Sequence, residues 1–139
     1  KNDKMAARFW QEGNHLHLHN EAAGKNLKFD GSDVTATGGN GKPATWKIHR
    51  LNKGSKPQHV KLESVAHGGK FLKVGKDGHL KVGKGGKWCV FEVSKHGNHY
   101  CLESTASRGH GVGFHDNGKA KEPKNVKHGK HGQFKVSKA

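Results

Sequence analysis

Cysteine, proline, acidic residues and long apolar runs are all scarce in this chain of 139 residues. The 2 cysteines, Cys89 and Cys101, are too few for a disulfide framework. They leave one bridge or two free thiols open, and no CxxC or Cys/His zinc spacing accompanies them. No run approaches the roughly 18 apolar residues of a membrane span, and mean hydropathy is −0.95. A transmembrane segment is therefore not expected, nor a secretory signal within these residues. No stretch sustains a 3.6-residue apolar period, so little helix is expected. Aspartate and glutamate number 11 against 26 lysines and arginines, a formal net charge of +15. Charge of that size implies an anionic partner or surface and leaves the fold open.

What is present argues for a folded β protein. A hydrophobic fraction of 30% with high charge lies near the composition of disordered chains. Two features oppose disorder. The apolar residues recur with period two, and 21 glycines punctuate them. Leu16 and Leu18 fall on one strand face, with His15, His17 and His19 on the other. Asp30-Gly31, Gly38-Gly39-Asn40-Gly41, Asp77-Gly78 and Asn117-Gly118 are strong turn signals.

The chain also repeats itself. Three stretches, residues 15–58, 59–98 and 99–139, each open on a short alternating strand ending in Leu18, Leu62 or Leu102. The last two share Leu-Glu-Ser outright, at 62–64 and 102–104. Each then carries an apolar residue after a glycine turn (Leu27, Leu72, Val112). A second turn leads to Val34, Leu80 or Ala120, and each stretch closes on aromatic-x-aliphatic (Trp46 and Ile48, Phe91 and Val93, Phe134 and Val136). About four strands per unit predicts about twelve strands in one domain over 15–139. Residues 1–14 would form an N-terminal segment that packs Phe9 and Trp10 on the barrel. Three units are too few to close a propeller.

A threefold unit of this kind resembles the β-trefoil of the superfamily of fibroblast growth factors, fascins and hisactophilin, over residues 15–137. Gly69-Lys-Phe-Leu72 followed by Lys76-Asp-Gly78-His-Leu80 resembles the repeat core of all three families. Cys89-Val-Phe91-Glu with Tyr100 resembles the growth-factor cysteine signature. Gly113-Phe114, Asn117-Gly118-Lys119 and Gly132-Gln133-Phe134 resemble the growth-factor C-terminal segment. Phe91-Glu-Val93-Ser-Lys-His96-Gly97 is similar to hisactophilin and fascin pieces as well. The chain departs from the growth-factor pattern at Val93, where those proteins carry a glutamate, and at Trp88, usually acidic there.

The sharpest basic cluster is Lys119, Lys121, Lys124, Lys127, His128, Lys130 and His131, in a stretch with one acid, Glu122. Lysine pairs with sulfate or phosphate as a point charge, and turn amides can add hydrogen bonds. The resemblance implies heparan-sulfate contacts here at Lys119, Lys124, Lys127 and Lys130. A secondary basic surface is Lys70, Lys73, Lys76, Lys81, Lys84 and Lys87, offset between Glu63 and Glu92 by Asp77 alone. His15, His17 and His19 are a weak metal candidate, since no cysteine or acid accompanies them, and no metal or other cofactor is expected. His96, His99, His110, His115, His128 and His131 sit in turns and are expected to be solvated, near an ordinary pKa of about 6.5.

Catalysis is not expected. Ser64 and Ser104 are repeat-equivalent, as are Glu63 and Glu103, so they read as structural. No nucleophile–base–acid set and no phosphate-binding glycine loop appears. The expected function is a non-catalytic, extracellular, monomeric module that binds heparin or other sulfated glycans. The alternatives are a cytoplasmic, membrane- or cytoskeleton-associated protein that binds F-actin or acidic membrane with a histidine pH dependence, and a basic matrix or mineral-associated protein. Nucleic acid would be bound only non-specifically.

Overall fold

A computed structural model describes residues 8–52 and 58–139. The expectations for residues 1–7 of the N-terminal segment and for 53–57 of the first repeat lie outside the described residues.

Period-two patterning becomes strand directly. In β5 (Gln58–Ser64), Gln58, Val60, Leu62 and Ser64 point inward while His59, Lys61 and Glu63 are half-exposed. β1 (His15–Asn20) buries Leu16, Leu18 and Asn20 and turns its histidines outward. β1 pairs with β10 (Phe134–Lys138), which pairs with β9 (His99–Ser104). β9 pairs with β8 (Phe91–His96), β8 with β5, and β5 with β4 (Trp46–Arg50). β4 returns to β1, so these six strands close a barrel. Closure leaves no open edge among them.

Extra strands extend from the ring. β2 (Lys25–Phe29) and β3 (Val34–Gly38) form a hairpin beside β1. β6 (Phe71–Val74) and β7 (Leu80–Gly83) form one beside β5. The third repeat differs from the expected twelve strands. In place of a third such hairpin the described residues show two isolated bridges, Glu103 of β9 with Gly111 and Phe114 with Ala120. Chain reversal is still hydrogen-bonded, by Lys121 N to Gly113 O and His115 N to Lys119 O. Pro123 O accepts from Gly111 N, but proline has no N–H to return, which interrupts the ladder.

The repeats are equivalent at the level of single hydrogen bonds. Asn20 Oδ1, Ser64 Oγ and Ser104 Oγ are buried and each accepts from the backbone N–H three residues on, at Ala23, His67 and Ser107. The short 3-10 turns Lys42–Ala44, Lys87–Cys89 and Lys130–Gly132 each follow a glycine and lead into Trp46, Phe91 and Phe134. Those aromatics, together with Leu16, Leu18, Val60, Leu62, Leu102, Leu27, Leu72 and Val112, form one core. Trp10 is fully buried there, edge-on to Tyr100 at 5.5 Å, and Phe9 packs beside it. Ala120, expected to match Val34 and Leu80, is exposed. Cys89 and Cys101 are separate, buried thiols.

Candidate functional site

The lysine-rich stretch is a sequence of short turns pinned at three points. At its start, Gly118 adopts φ +86°, and Asn117 Oδ1 accepts from Lys119 N at 3.0 Å. Gly118 lies so close to β3 that an added Cβ would stand 2.5 Å from Thr37 Cγ2, and its carbonyl accepts from Ala36 N. In the middle, Pro123 is buried in the turn Pro123–Asn125 and Val126 enters a socket of glycines. Added Cβ atoms on Gly111, Gly113 and Gly132 would stand 3.2, 2.8 and 2.7 Å from the Val126 methyls. Gly111, Gly113 and Gly132 all lack the left-handed φ seen at the turn glycines. Space, not turn geometry, requires them. At its end, His131 Nδ1 donates to Phe114 O at 2.8 Å. Its own carbonyl accepts from Phe114 N and from Asn20 Nδ2.

Between these pins the lysines face water. Lys119, Lys124, Lys127 and Lys130 are exposed, and Lys121 is half-exposed. Among the described residues none of the five has an acidic partner. Glu122, the acid in the stretch, lies 3.6 Å from His79 Nδ1 instead. His128 is exposed. His131 is half-buried and its Nδ1 proton is committed to a backbone carbonyl, so it braces the loop.

The secondary basic zone is less available. Lys73 and Lys81 face each other across β6 and β7, a like-charge pair that Asp77 offsets by binding Lys81 at 2.6 Å. That ion pair and the His79 N–H hold the Asp77 carboxyl below its usual range, Lys81 contributing most. Lys73 lays its stem across Gly83, and Lys87 sits 5.3 Å from the centre of the Trp88 ring. Lys81 and Lys87 are exposed despite these contacts, and Lys70, Lys76 and Lys84 are exposed as well.

Among the described residues the glutamates pair with histidine and arginine. Glu63 meets His49 at 2.7 Å, Glu92 meets His59 at 3.1 Å and Arg108 at 2.9 Å, and Glu21 meets His99 at 3.2 Å. The Gly69 N–H, then His49, hold the Glu63 carboxyl below its usual value. For Glu92, burial is the largest single influence and pushes upward, but Arg108 and His59 together outweigh it and leave the carboxyl low. Lys28 and Lys81 are the described lysines with an acidic partner. The turn histidines are thus not uniformly solvated. His99 and His131 contact acids, and His110 Nδ1 is buried without a hydrogen-bond partner.

His15, His17 and His19 do not converge. His17 Nε2 meets Thr45 Oγ1 at 3.3 Å and His19 Nδ1 meets Asn26 Oδ1 at 3.1 Å. A different trio does converge. One ligand atom each from His96, Cys101 and His128 lies within 4.8 Å of the others. Cys101 is 7% exposed, and burial pushes its thiol up to about 11. The spacing of this trio matches no zinc pattern. Its one sequence signal is Cys101 alternating out of phase with Tyr100 and Leu102, which belong to the core.

No protein-family model matches this chain, and no curated protein matches it significantly in sequence.

Proposed function

We propose that this chain is a β-trefoil module, without catalytic activity, that binds polyanions through the 119–131 loop, with sulfated glycans as the preferred class. The carrying observation is that Lys119, Lys121, Lys124, Lys127 and Lys130 have no acidic partner among the described residues and stand on a loop fixed at Gly118, Val126 and His131. A pinned loop presents its charges in a constant arrangement, so less ordering entropy opposes binding. The trefoil reading is supported by the six-strand closure and by the threefold recurrence of buried cap, 3-10 turn and aromatic. A sulfated-glycan partner would place the protein at a cell surface or in matrix.

Heparin-affinity elution tests this. Lys124, Lys127 and Lys130 are changed together to alanine and compared with a Lys70, Lys76 and Lys84 triple variant. The two variants have the same net charge. The loop variant should elute at clearly lower salt, and its affinity should depend less steeply on salt by about one unit of slope per lost contact. Equal losses in both variants would show that bulk charge, not the loop, determines retention. Co-sedimentation with F-actin, run beside it, should show weaker, non-saturating binding. Saturable actin binding lost in the loop variant would move the assignment to the cytoskeletal class.

A further inference from the structure

His96 and Cys101 belong to one hairpin. Ser94 pairs with Cys101 and His96 with His99, so His96 and Cys101 are diagonal neighbours across β8 and β9. His128 comes from a different part of the chain, two residues past Val126 in its glycine socket. The His96 and His128 rings lie 4.6 Å apart between centroids, tilted by 35°. Among the described residues neither ring has an acidic partner, whereas His49, His59, His79, His99 and His131 do. Two imidazoles and a thiol that converge within 4.8 Å make a good site for an electron-pair acceptor.

We propose that His96, Cys101 and His128 bind a thiophilic cation of filled d shell, zinc(II) or copper(I). The donor set excludes magnesium and calcium, which take oxygen ligands, and suits the softer ions, which take thiolate and imidazole. Ligand distances of about 2.3 Å to sulfur and 2.0–2.1 Å to nitrogen place tetrahedral ligand atoms about 3.5 Å apart. The present separations, up to 4.8 Å, need closure by roughly an ångström. The exposed His128 side chain can supply it. On binding, the Cys101 S–H bond breaks, its proton passes to solvent, and the sulfur electron pair forms the metal bond. Three protein ligands leave a further position for water. It would face the cavity that the trio shares with Glu92, Glu103 and His110. The unpartnered Nδ1 of His110 in that wall gives such a water a polar group to meet. Ser94 Oγ contacts His96 Nε2 at 3.1 Å and steadies the ring.

The proposal does not depend on glycan binding, although it gives His128 a second role beside the lysines. It is tested with reduced, chelator-stripped protein titrated with cobalt(II), followed by thiolate-to-cobalt charge-transfer absorption. Zinc(II) should then displace the cobalt. In a separate anaerobic arm, copper(I) is partitioned against a colorimetric chelator. One equivalent should bind with a thiolate band. Cys101→Ser should abolish the band, and His128→Asn should weaken affinity at least tenfold, about the lower limit for losing even an outer partner of a metal ligand. Cys89→Ser should change neither. His128 is exposed, so its variant keeps the test valid if Cys101→Ser folds poorly. Retention by either ion alone identifies the ion. Absence of a thiolate band, persistence of the band in Cys101→Ser, or equal loss in Cys89→Ser overturns the proposal.

Discussion

Gly113→Ala tests whether the glycines under the lysine loop are there for space. Its added methyl would stand 2.8 and 2.9 Å from the two Val126 methyls and 2.9 Å from the His131 carbonyl oxygen. Optimal carbon contacts are about 3.5–4.0 Å. Neither neighbour yields readily. Valine is stiff about χ1, and the His131 carbonyl is held by Phe114 N at 3.0 Å and Asn20 Nδ2 at 2.9 Å. The cost should therefore sit in the upper part of the overpacking range, about 2–3 kcal/mol. Gly111→Ala, with nearest contacts of 3.2 and 3.3 Å, should cost less, about 1 kcal/mol. Gly129→Ala meets nothing within 4 Å at an ordinary φ of −82°. It should be neutral or stabilising by up to about 1 kcal/mol.

Urea unfolding reads the series as a midpoint shift at constant slope. For a domain of this size, each kcal/mol moves Tm by roughly 3–5 °C. Val126→Ala combined with Gly113→Ala should recover part of the loss, because the pair shares one contact. Wild-type stability in Gly113→Ala would refute the socket. So would a Gly129→Ala variant as unstable as Gly113→Ala, since backbone freedom rather than space would then explain the glycines.

Trp46→Phe should destabilise by about 2–4 kcal/mol in the same assay. The fully buried indole N–H donates to Leu27 O at 2.9 Å, and Leu27 sits where the β2–β3 register shifts, so no ladder partner replaces it. An effect below about 0.5 kcal/mol would mean that this carbonyl finds another donor. Glu63→Gln should destabilise at pH 7, with the difference from wild type shrinking by pH 3. The folded-state pKa of Glu63 lies below its ordinary 4.5, so its contribution is complete above that value and is lost as pH falls through the folded pKa. A midpoint difference unchanged between pH 7 and pH 3 would contradict the assignment. Heparin elution, with chelator present, should shift to higher salt from pH 8 to pH 6, because histidine as a residue type gains charge in that range and the chain carries 13. No shift would remove histidine from the binding account.

Much of the fold is legible in the residues themselves. Leu18, Leu62 and Leu102 mark the repeats because each must turn inward on a strand, and all three are buried. Asp-Gly and Asn-Gly mark turns because only glycine sits easily at positive φ, and Gly31, Gly78 and Gly118 do so. Gly111, Gly113 and Gly132 are not legible in that way. Their neighbour Val126 is brought to them by tertiary packing, and nothing local announces it. The third hairpin falls short of full strands because Pro123 sits at the ladder position opposite Gly111, a register that is fixed only in the folded chain. The Cys101 trio is invisible for the same reason: 27 residues separate its last two members, and their meeting depends on where the loop is pinned. The lysine surface was readable as charge, but not which lysines stay unpaired.

That last distinction depends on where the acids lie in the strand ladders. Glu63 on β5 lies diagonal to His49 on β4, since His49 pairs with Lys61. Glu92 on β8 is directly opposite His59 on β5. Cross-strand neighbours at these separations interact, so barrel closure itself assigns these acids to histidines. Among the described residues Asp77 is then the acid that binds a lysine of the 70–87 basic surface, and Glu122 turns to His79 there rather than to its own loop. The consequence is electrostatic. Among the described residues, His49, His59, His79, His99 and His131 lie beside carboxylates. His115 and His128 have no carboxylate partner among the described residues and stand with the exposed lysines of the loop. Two histidine groups thus follow from where the acids fall: one whose neighbours are carboxylates of the fold, and one that stands with the lysines of the loop.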